Sequence, residues 1–124
     1  MKQVLVVFIG GGFGSVVRYI IGKWLNNSHN GIPYGTFAAN IIGSLLIGII
    51  LGYAAKSETL TQNHTLLLAT GFCGDFTTFS TFAYENHTFF KNGDFTSFAL
   101  YTFASFIIAF LAVFAGIYLS KILS

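Results

Sequence analysis

Charge is scarce in this sequence, and the scarcity limits the class of protein. Of 124 residues, six are Lys or Arg and four are Asp or Glu, whereas 54% are hydrophobic and 15 are Phe. A soluble domain of this size has too little polar surface to cover so many apolar side chains. The composition therefore predicts an integral membrane protein.

Cysteine and clustered histidine are also missing. Cys73 is the single cysteine, which excludes a disulfide within the chain and argues against a cysteine-based metal site. Its expected role is a small, buried packing residue. His29, His64 and His87 lack the spacing of metal ligands. Because the sequence also lacks a nucleophile–base pair and a cofactor loop, we expect no enzyme.

Long apolar stretches make up most of the chain. A membrane-spanning helix needs about 20 apolar residues, and four such stretches lie at about residues 4–25, 34–55, 66–90 and 95–119. The first stretch is too long for the core of a signal peptide and lacks a small-residue cleavage site. We predict an all-α, multi-pass protein of the plasma membrane, with one four-span domain over residues 1–124.

The few positive charges are divided almost evenly between the two sides of the membrane. With four spans, both termini and the second loop share one side, which carries Lys2, Lys56 and Lys121. The other side carries Lys23 and Lys91, with Arg18 deeper at the same end of the first span. Since the positive-inside rule then gives almost no orientation, we expect dual topology and an antiparallel homodimer. A single topology with a weak bias is the alternative.

The first span contains a run of glycines, Gly10-Gly11-Gly12-Phe13-Gly14-Ser15. The spacing does not match a phosphate-binding loop. Gly10 and Gly14 are four residues apart, a pattern that lets membrane helices approach closely. Arg18 follows one turn later, and it either extends to the membrane surface or lines an aqueous vestibule that attracts anions.

Twelve residues in the third span, Gly71 to Phe82, combine two glycines, an acid, four hydroxyls and four phenylalanines. Low helix propensity predicts a local break near Gly74–Thr78. In a bilayer, the freed backbone groups need partners, and broken helices at mid-depth often mark ion or substrate sites. A kinked packing helix is the alternative.

Polar groups recur at helical spacing in the other spans. Thr36 and Asn40 share a face of the second span, where Asn40 either joins helices or donates from its amide to a pathway. Tyr101 and Ser105 form a short polar strip in the fourth span, or else bond locally.

Phe79 and Phe82 share a face of the third span. The positive edges of their rings could attract an anion weakly; core or lipid packing is the alternative.

Together these segments resemble one family, the small fluoride channels called Fluc or CrcB. The resemblance covers nearly the whole chain. It depends on Gly10–Gly14 with Arg18-Tyr19, on Gly35-Thr36-Phe37-Ala38-Ala39-Asn40 with Gly43-Ser44, and on Gly71-Phe72-Cys73-Gly74 with Thr77-Thr78-Phe79-Ser80-Thr81-Phe82.

The resemblance implies a function and a set of site residues. It implies an antiparallel homodimer that exports fluoride passively through two pathways and holds a structural sodium ion at its centre. The sodium ligands would be the backbone carbonyls of Gly74 and Thr77 from both subunits. The residues of the anion pathway would be Phe79, Phe82, Asn40, Thr36, Tyr101 and Ser105, with Arg18 at the vestibule.

Two positions depart from the family pattern. Asp75 stands where a second glycine is expected, and its carboxylate could strengthen cation binding or point away. Ala109 stands where the polar strip can carry a hydroxyl. Two other functions remain as alternatives: a proton-coupled transporter of the small multidrug-resistance type, although the first span contains no acid, and a membrane assembly protein that transports nothing.

Overall fold

The structure is a computed structural model that describes residues 1–26, 31–56 and 61–123, except for the side chain of Lys56. Every regular element among these residues is helical. The elements are α1 (Lys2–Leu25), α2 (Tyr34–Lys56), α3 (Gln62–Thr65), a π-helical segment (Leu66–Cys73, the π segment), α4 (Gly74–Phe76), α5 (Phe79–Lys91) and α6 (Phe95–Leu123). His29, in the predicted loop after α1, lies outside the described residues.

Three of these helices are long and apolar enough to cross a membrane. They are α1, the Tyr34–Ala55 part of α2, and α6, which continues to Leu123 and so ends beyond the predicted residue 119. The predicted third span, residues 66–90, is divided among the π segment, α4 and α5, and α3 lies just before it. The prediction of a helical, multi-pass membrane protein is thereby confirmed.

The glycines of α1 allow it to pack directly against the backbone of the π segment. A Cβ on Gly10 would collide with the Leu67 carbonyl, and one on Gly14 would collide with the Phe72 carbonyl. A Cβ on Gly71, across the interface, would lie 2.9 Å from the Val7 carbonyl oxygen. Such close approach brings backbones into van der Waals contact, which drives helix association where hydrophobic burial does not. The prediction that this glycine run packs helices is confirmed.

A second close contact joins α2 to α6 and was not predicted from the sequence. A Cβ on Gly48 would collide with the Val113 carbonyl, and one on Gly116 would collide with the Leu45 carbonyl. One turn further along, Gly52 accommodates the hydroxyl of Ser120. This packing holds α2 and α6 together, so that residues from both helices can line a shared site.

The turn between α5 and α6 sets the pairing of these two helices. Gly93 has a φ of 74°, which favours glycine, and Asp94 accepts a hydrogen bond from the Ser97 N–H at 3.2 Å. Beside the turn, the ring of Phe90 meets the rings of Phe95 and Phe98 edge to face. The antiparallel pairing brings Phe82 and Phe89 of α5 into one buried cluster with Tyr101 of α6.

Candidate functional site

The chain leaves the helical conformation at two threonines between α4 and α5. Thr77 (φ −83°, ψ 154°) and Thr78 (φ −148°, ψ 117°) are extended, whereas Gly74 and Asp75 are helical. The Thr77 hydroxyl donates to the Cys73 carbonyl at 2.9 Å, and the Thr78 hydroxyl accepts from the Thr81 N–H at 3.3 Å and caps α5. The two hydroxyls therefore end one helix and begin the next.

The amide of Asn40 in α2 bonds to the backbone at this interruption. Its Oδ1 accepts from the Thr78 N–H at 2.8 Å, and its Nδ2 lies 3.4 Å from the Thr78 carbonyl oxygen. In a continuous helix, the Thr78 N–H would bond to the Gly74 carbonyl instead. Asn40 thus joins α2 to the interruption, and its weakly held Nδ2 keeps capacity to donate elsewhere. The two roles predicted for Asn40 are compatible.

A cavity of about 290 Å³ lies beside the interruption, between α2, the π segment, α5 and α6. It combines the amide of Asn40, the hydroxyl positions of Thr77 and Ser105, and the rings of Phe79 and Phe82. Ala109 also lines it, so this wall has a methyl where a hydroxyl could have stood. Lys, Arg, Asp and Glu are absent from its described lining.

The hydroxyl of Ser105 is a polar group of this cavity for which the described residues provide no hydrogen-bond partner. The residue is 7% exposed, and its Oγ has no hydrogen-bond partner within the described part of the chain. A buried hydroxyl without a partner costs free energy, so such a group suggests a bound ligand or water. The side chains of Asn86 and Thr102 also have buried oxygens without described partners.

The rings of Phe79 and Phe82 have very different surroundings. Their centroids are 5.9 Å apart with an interplanar angle of 40°. Phe82 is 7% exposed and also contacts Tyr101 and the ring of Phe106, which meets it at 87°. Phe79 is 73% exposed. One ring is therefore surrounded by aromatic neighbours, and the other lies at the cavity but is largely exposed.

A chain of hydrogen bonds joins four helices next to Phe82. The Thr36 hydroxyl donates to Glu85 Oε2 at 2.7 Å, and the Tyr101 hydroxyl donates to Glu85 Oε1 at 2.8 Å. Asn26, at the end of α1, donates from Nδ2 to the Thr36 oxygen at 3.3 Å. Thr36 and Tyr101 are buried, at 4% and 3% exposure, and the Glu85 carboxylate is half-buried. Thr36 and Tyr101 were predicted site residues, and the structure brings them together through Glu85.

Arg18 lies at a second cavity of about 210 Å³, which Lys23, Asn26, Thr36 and Thr81 also line. The Arg18 side chain is half-buried, and its Nε donates to the Asp75 carbonyl at 3.2 Å. Two basic residues therefore lie at a cavity whose wall includes Thr36, the first hydroxyl of the hydrogen-bonded chain. This placement agrees with the vestibule alternative for Arg18.

The Asp75 carboxylate lies against α1. A Cβ on Gly11 would collide with Asp75 Oδ2, so a larger residue at position 11 would displace this exposed carboxylate. Gly74, by contrast, is exposed, and the nearest atom to a Cβ there would be the Ala69 carbonyl oxygen at 3.8 Å. The two residues therefore face different sides of α4. The Asp75 carboxylate thus points toward α1 of its own chain, which corresponds to the second predicted orientation, pointing away.

The contact between Gly11 and Asp75 predicts a stability effect. Gly11→Ala should be less stable than Gly12→Ala by up to about 1 kcal/mol, because the added methyl displaces the exposed Asp75 carboxylate while both variants gain the same helix propensity. Adding Asp75→Gly should remove most of that difference. Thermal unfolding of the purified protein measures both. Gly12→Ala is the matched control, since a Cβ at Gly12 meets nothing within 4 Å; equal stability of the two alanine variants would contradict the prediction.

Sequence reasoning omitted Glu85 and Asn26 from the predicted site. The signal for Glu85 was available, because a carboxylate within an apolar span is costly unless it is paired. Asn26 carried no such signal, since a polar residue at the end of a helix is ordinary. Its proximity to Thr36, ten residues later, depends on how α1 and α2 meet.

Comparison with known proteins identifies the family to which the chain is similar. The family model described as "CrcB-like protein, Camphor Resistance (CrcB)" matches residues 5–117. The chain is 47% identical over 122 residues to a protein of Gloeothece citriformis named "Fluoride-specific ion channel FluC", with 98% of each chain covered. A protein of the same name from Bacteroides fragilis is 43% identical over 125 residues, with 98% of each covered, and one from Oceanobacillus iheyensis is 38% identical over 120 residues, with 97% and 92% covered.

Proposed function

The chain belongs to the CrcB family, and we propose that it is a fluoride-specific ion channel that lets fluoride leave the cytoplasm passively. The observation that carries this proposal is the Ser105 hydroxyl, which lacks a partner within the described ranges and lies in a cavity lined by the rings of Phe79 and Phe82. A buried hydroxyl can donate to a dehydrated fluoride, and aromatic edges carry partial positive charge. Neither group binds so strongly that the ion is trapped, which conduction requires.

The proposed pathway begins at the cavity beside Arg18 and Lys23. There, positive charge attracts anions from solution, and Thr36 forms part of the wall. The route continues along Thr36 and Tyr101, whose ring centroid is 5.1 Å from that of Phe82. From Phe82 it enters the cavity with Ser105 and Asn40.

Glu85 has a specific part in this route. Its two carboxylate oxygens already accept the protons of Thr36 and Tyr101. A fluoride ion that uses these hydroxyls must therefore replace the carboxylate as their acceptor. We propose that Glu85 turns away as fluoride arrives, so that hydroxyl donors pass from one anion to the other without being left unpaired.

We propose that the working channel is a dual-topology, antiparallel homodimer with two pathways. The even distribution of lysines supports insertion in both orientations. Phe79 is 73% exposed beside the cavity, so a second copy could cover this ring and close the wall. Cross-linking of the purified protein, and labelling of a cysteine introduced near one terminus from both sides of the membrane, test this; a monomer or labelling from one side only would contradict it.

The backbone at the interruption has carbonyl groups suited to a structural sodium ion. Thr78 and Thr81 would normally donate their N–H groups to the carbonyls of Gly74 and Thr77. Instead, these N–H groups bond to Asn40 Oδ1 and Thr78 Oγ1. We propose that the two released carbonyls, from both subunits, hold the ion, since hard cations prefer oxygen ligands. The dimer should then melt at a higher temperature in sodium chloride than in N-methylglucamine chloride. Equal melting temperatures would contradict a sodium site here.

The decisive experiment measures anion release from liposomes that contain purified protein. A fluoride-selective electrode should record rapid fluoride release, while chloride stays inside. Silent liposomes with folded dimer would contradict the channel and favour an assembly protein. Release that depends on a proton gradient would instead favour a coupled transporter.

The unpaired hydroxyl leads to a prediction in which activity and stability change in opposite directions. Ser105→Ala should slow fluoride release by about tenfold, the effect of losing about 1.4 kcal/mol of ion stabilisation. It should leave thermal stability unchanged or slightly higher, because it removes an unsatisfied buried group. Ser97→Ala, on the same helix near the turn, should change neither quantity. Full activity of Ser105→Ala would remove this hydroxyl from the pathway.

A further inference from the structure

The hydrogen bonds of Asn26 suggest a role beyond ending α1. Its Oδ1 accepts from the backbone N–H groups of Gly35 and Thr36, at 2.7 and 3.2 Å. These two donors determine the orientation of the amide, because Nδ2 could not accept from them. Nδ2 therefore faces the Thr36 hydroxyl, at 3.3 Å from its oxygen. One amide caps the start of α2 and contacts a side chain of the proposed pathway.

The contact leaves the proton of the Thr36 hydroxyl available to an acceptor other than Asn26. A hydroxyl has one proton, and its oxygen here already accepts from Asn26. A carboxylate only accepts, so the Thr36 proton goes to Glu85 Oε2, 2.7 Å away, and the amide donor of Asn26 does not compete for it. An acceptor in place of Nδ2 would compete for the same proton.

The backbone around Asn26 keeps this arrangement rigid. A Cβ on Gly35 would lie 2.8 Å from Asn26 Oδ1, 2.8 Å from the Gly22 Cα and 2.9 Å from the Ile21 carbonyl oxygen. Only glycine at position 35 allows the end of α1 and the start of α2 to meet this closely. Because Thr36 is the next residue, its side chain is held at the same junction.

We propose that Asn26 is a positioning residue for anion conduction, which orients the Thr36 hydroxyl toward Glu85 and hence toward the route of the ion. This inference depends on the proposed channel function, and Asn26 acts through Thr36. Its amide donor ensures that Thr36 presents a proton, rather than a lone pair, to the pathway.

Asn26→Asp separates this role from helix capping. Aspartate keeps an acceptor for the Gly35 and Thr36 N–H groups in the first turn of α2, where a negative charge is tolerated, so the melting temperature should change little. It replaces the Nδ2 donor by an acceptor, which draws the Thr36 proton away from Glu85. We expect fluoride release to slow roughly tenfold, which corresponds to about 1.4 kcal/mol. Asn26→Ala should instead lower both the melting temperature and the rate, because it removes the cap as well.

The new negative charge could also repel fluoride, and two measurements distinguish that effect. Repulsion at a solvent-accessible cavity is screened by salt, whereas a misdirected hydroxyl is not. The slower release should therefore persist at high ionic strength. In addition, Asn26→Asp should have little further effect in a Thr36→Val background, since coupled residues are not additive.

Several results would overturn the inference. Wild-type rates in Asn26→Asp would do so, as would recovery of the rate at high salt or a full additional loss in the Thr36→Val background. If Thr36→Val alone releases no fluoride, no further loss can be measured in that background. The salt dependence then distinguishes a misdirected hydroxyl from charge repulsion. Release by the wild-type protein is measured in the same experiment, so failure of the channel proposal is recognised separately from failure of this one.

Discussion

Replacing Phe82 by isoleucine should reduce fluoride release at least about 100-fold, an increase of about 2.7 kcal/mol in the barrier. Isoleucine keeps an apolar side chain but has no aromatic edge to face an anion. The ring of Phe82 is 7% exposed and is surrounded by the rings of Phe79, Tyr101 and Phe106. Its position is therefore determined by packing against these rings.

The measurement is fluoride release from liposomes, with dimer content verified by size-exclusion chromatography. Phe103→Ile provides the matched control. Phe103 lies on α6, the helix paired with the α5 of Phe82, and is 66% exposed. We expect that variant to conduct normally. Undiminished release by folded Phe82→Ile would remove this ring from the mechanism and leave the hydroxyls as the main ion ligands.

Asn40→Asp should reduce fluoride release by a similar factor, about 100-fold or more. The carboxylate can still accept from the Thr78 N–H, but its second oxygen replaces the Nδ2 that lies 3.4 Å from the Thr78 carbonyl. Two acceptors then face each other at the interruption. A negative charge also enters a cavity whose described lining has no formal charge, where low polarity strengthens repulsion of an anion.

Asn92→Asp makes the same chemical change at the exposed end of α5 and controls for net charge. We expect it to conduct at the wild-type rate and to melt at the wild-type temperature. If Asn40→Asp conducts normally as a folded dimer, Asn40 has only the structural role of joining α2 to the interruption. If it fails to assemble, Asn40→Ser, which is neutral and short, tests the missing amide donor without the added charge.

Membrane insertion and helical class could be predicted from composition, because both follow from local properties. An apolar stretch of about 20 residues must satisfy its backbone internally in a bilayer, and a helix does so. The glycine run of α1 was also interpretable, since a four-residue spacing puts small residues on one face. The equivalent contact of Gly48 with Gly116 was missed because neither glycine belongs to a dense run, and only the pairing of α2 with α6 brings them together.

The backbone between Gly74 and Thr78 shows what helix propensity cannot predict. Low helix propensity drew attention to Gly74 and Asp75, yet both are helical, and the extended residues are Thr77 and Thr78. Their conformation depends on side chains that bond to the backbone and on Asn40, which is 38 residues away from Thr78 in the chain. A propensity assigned to single residues contains no information about such a partner.

The sequence by itself determined the helical membrane class, the resemblance to a family and the residue types available to an ion: ring edges, hydroxyls and one amide. Tertiary structure decided which of these groups meet. It paired Thr36 and Tyr101 through Glu85, brought Asn26 to Thr36, and left Ser105, beside Phe82, without a partner in the described part of the chain. The physical reason is that apolar periodicity and composition act within one helix, whereas hydrogen bonds between side chains depend on how separate helices pack.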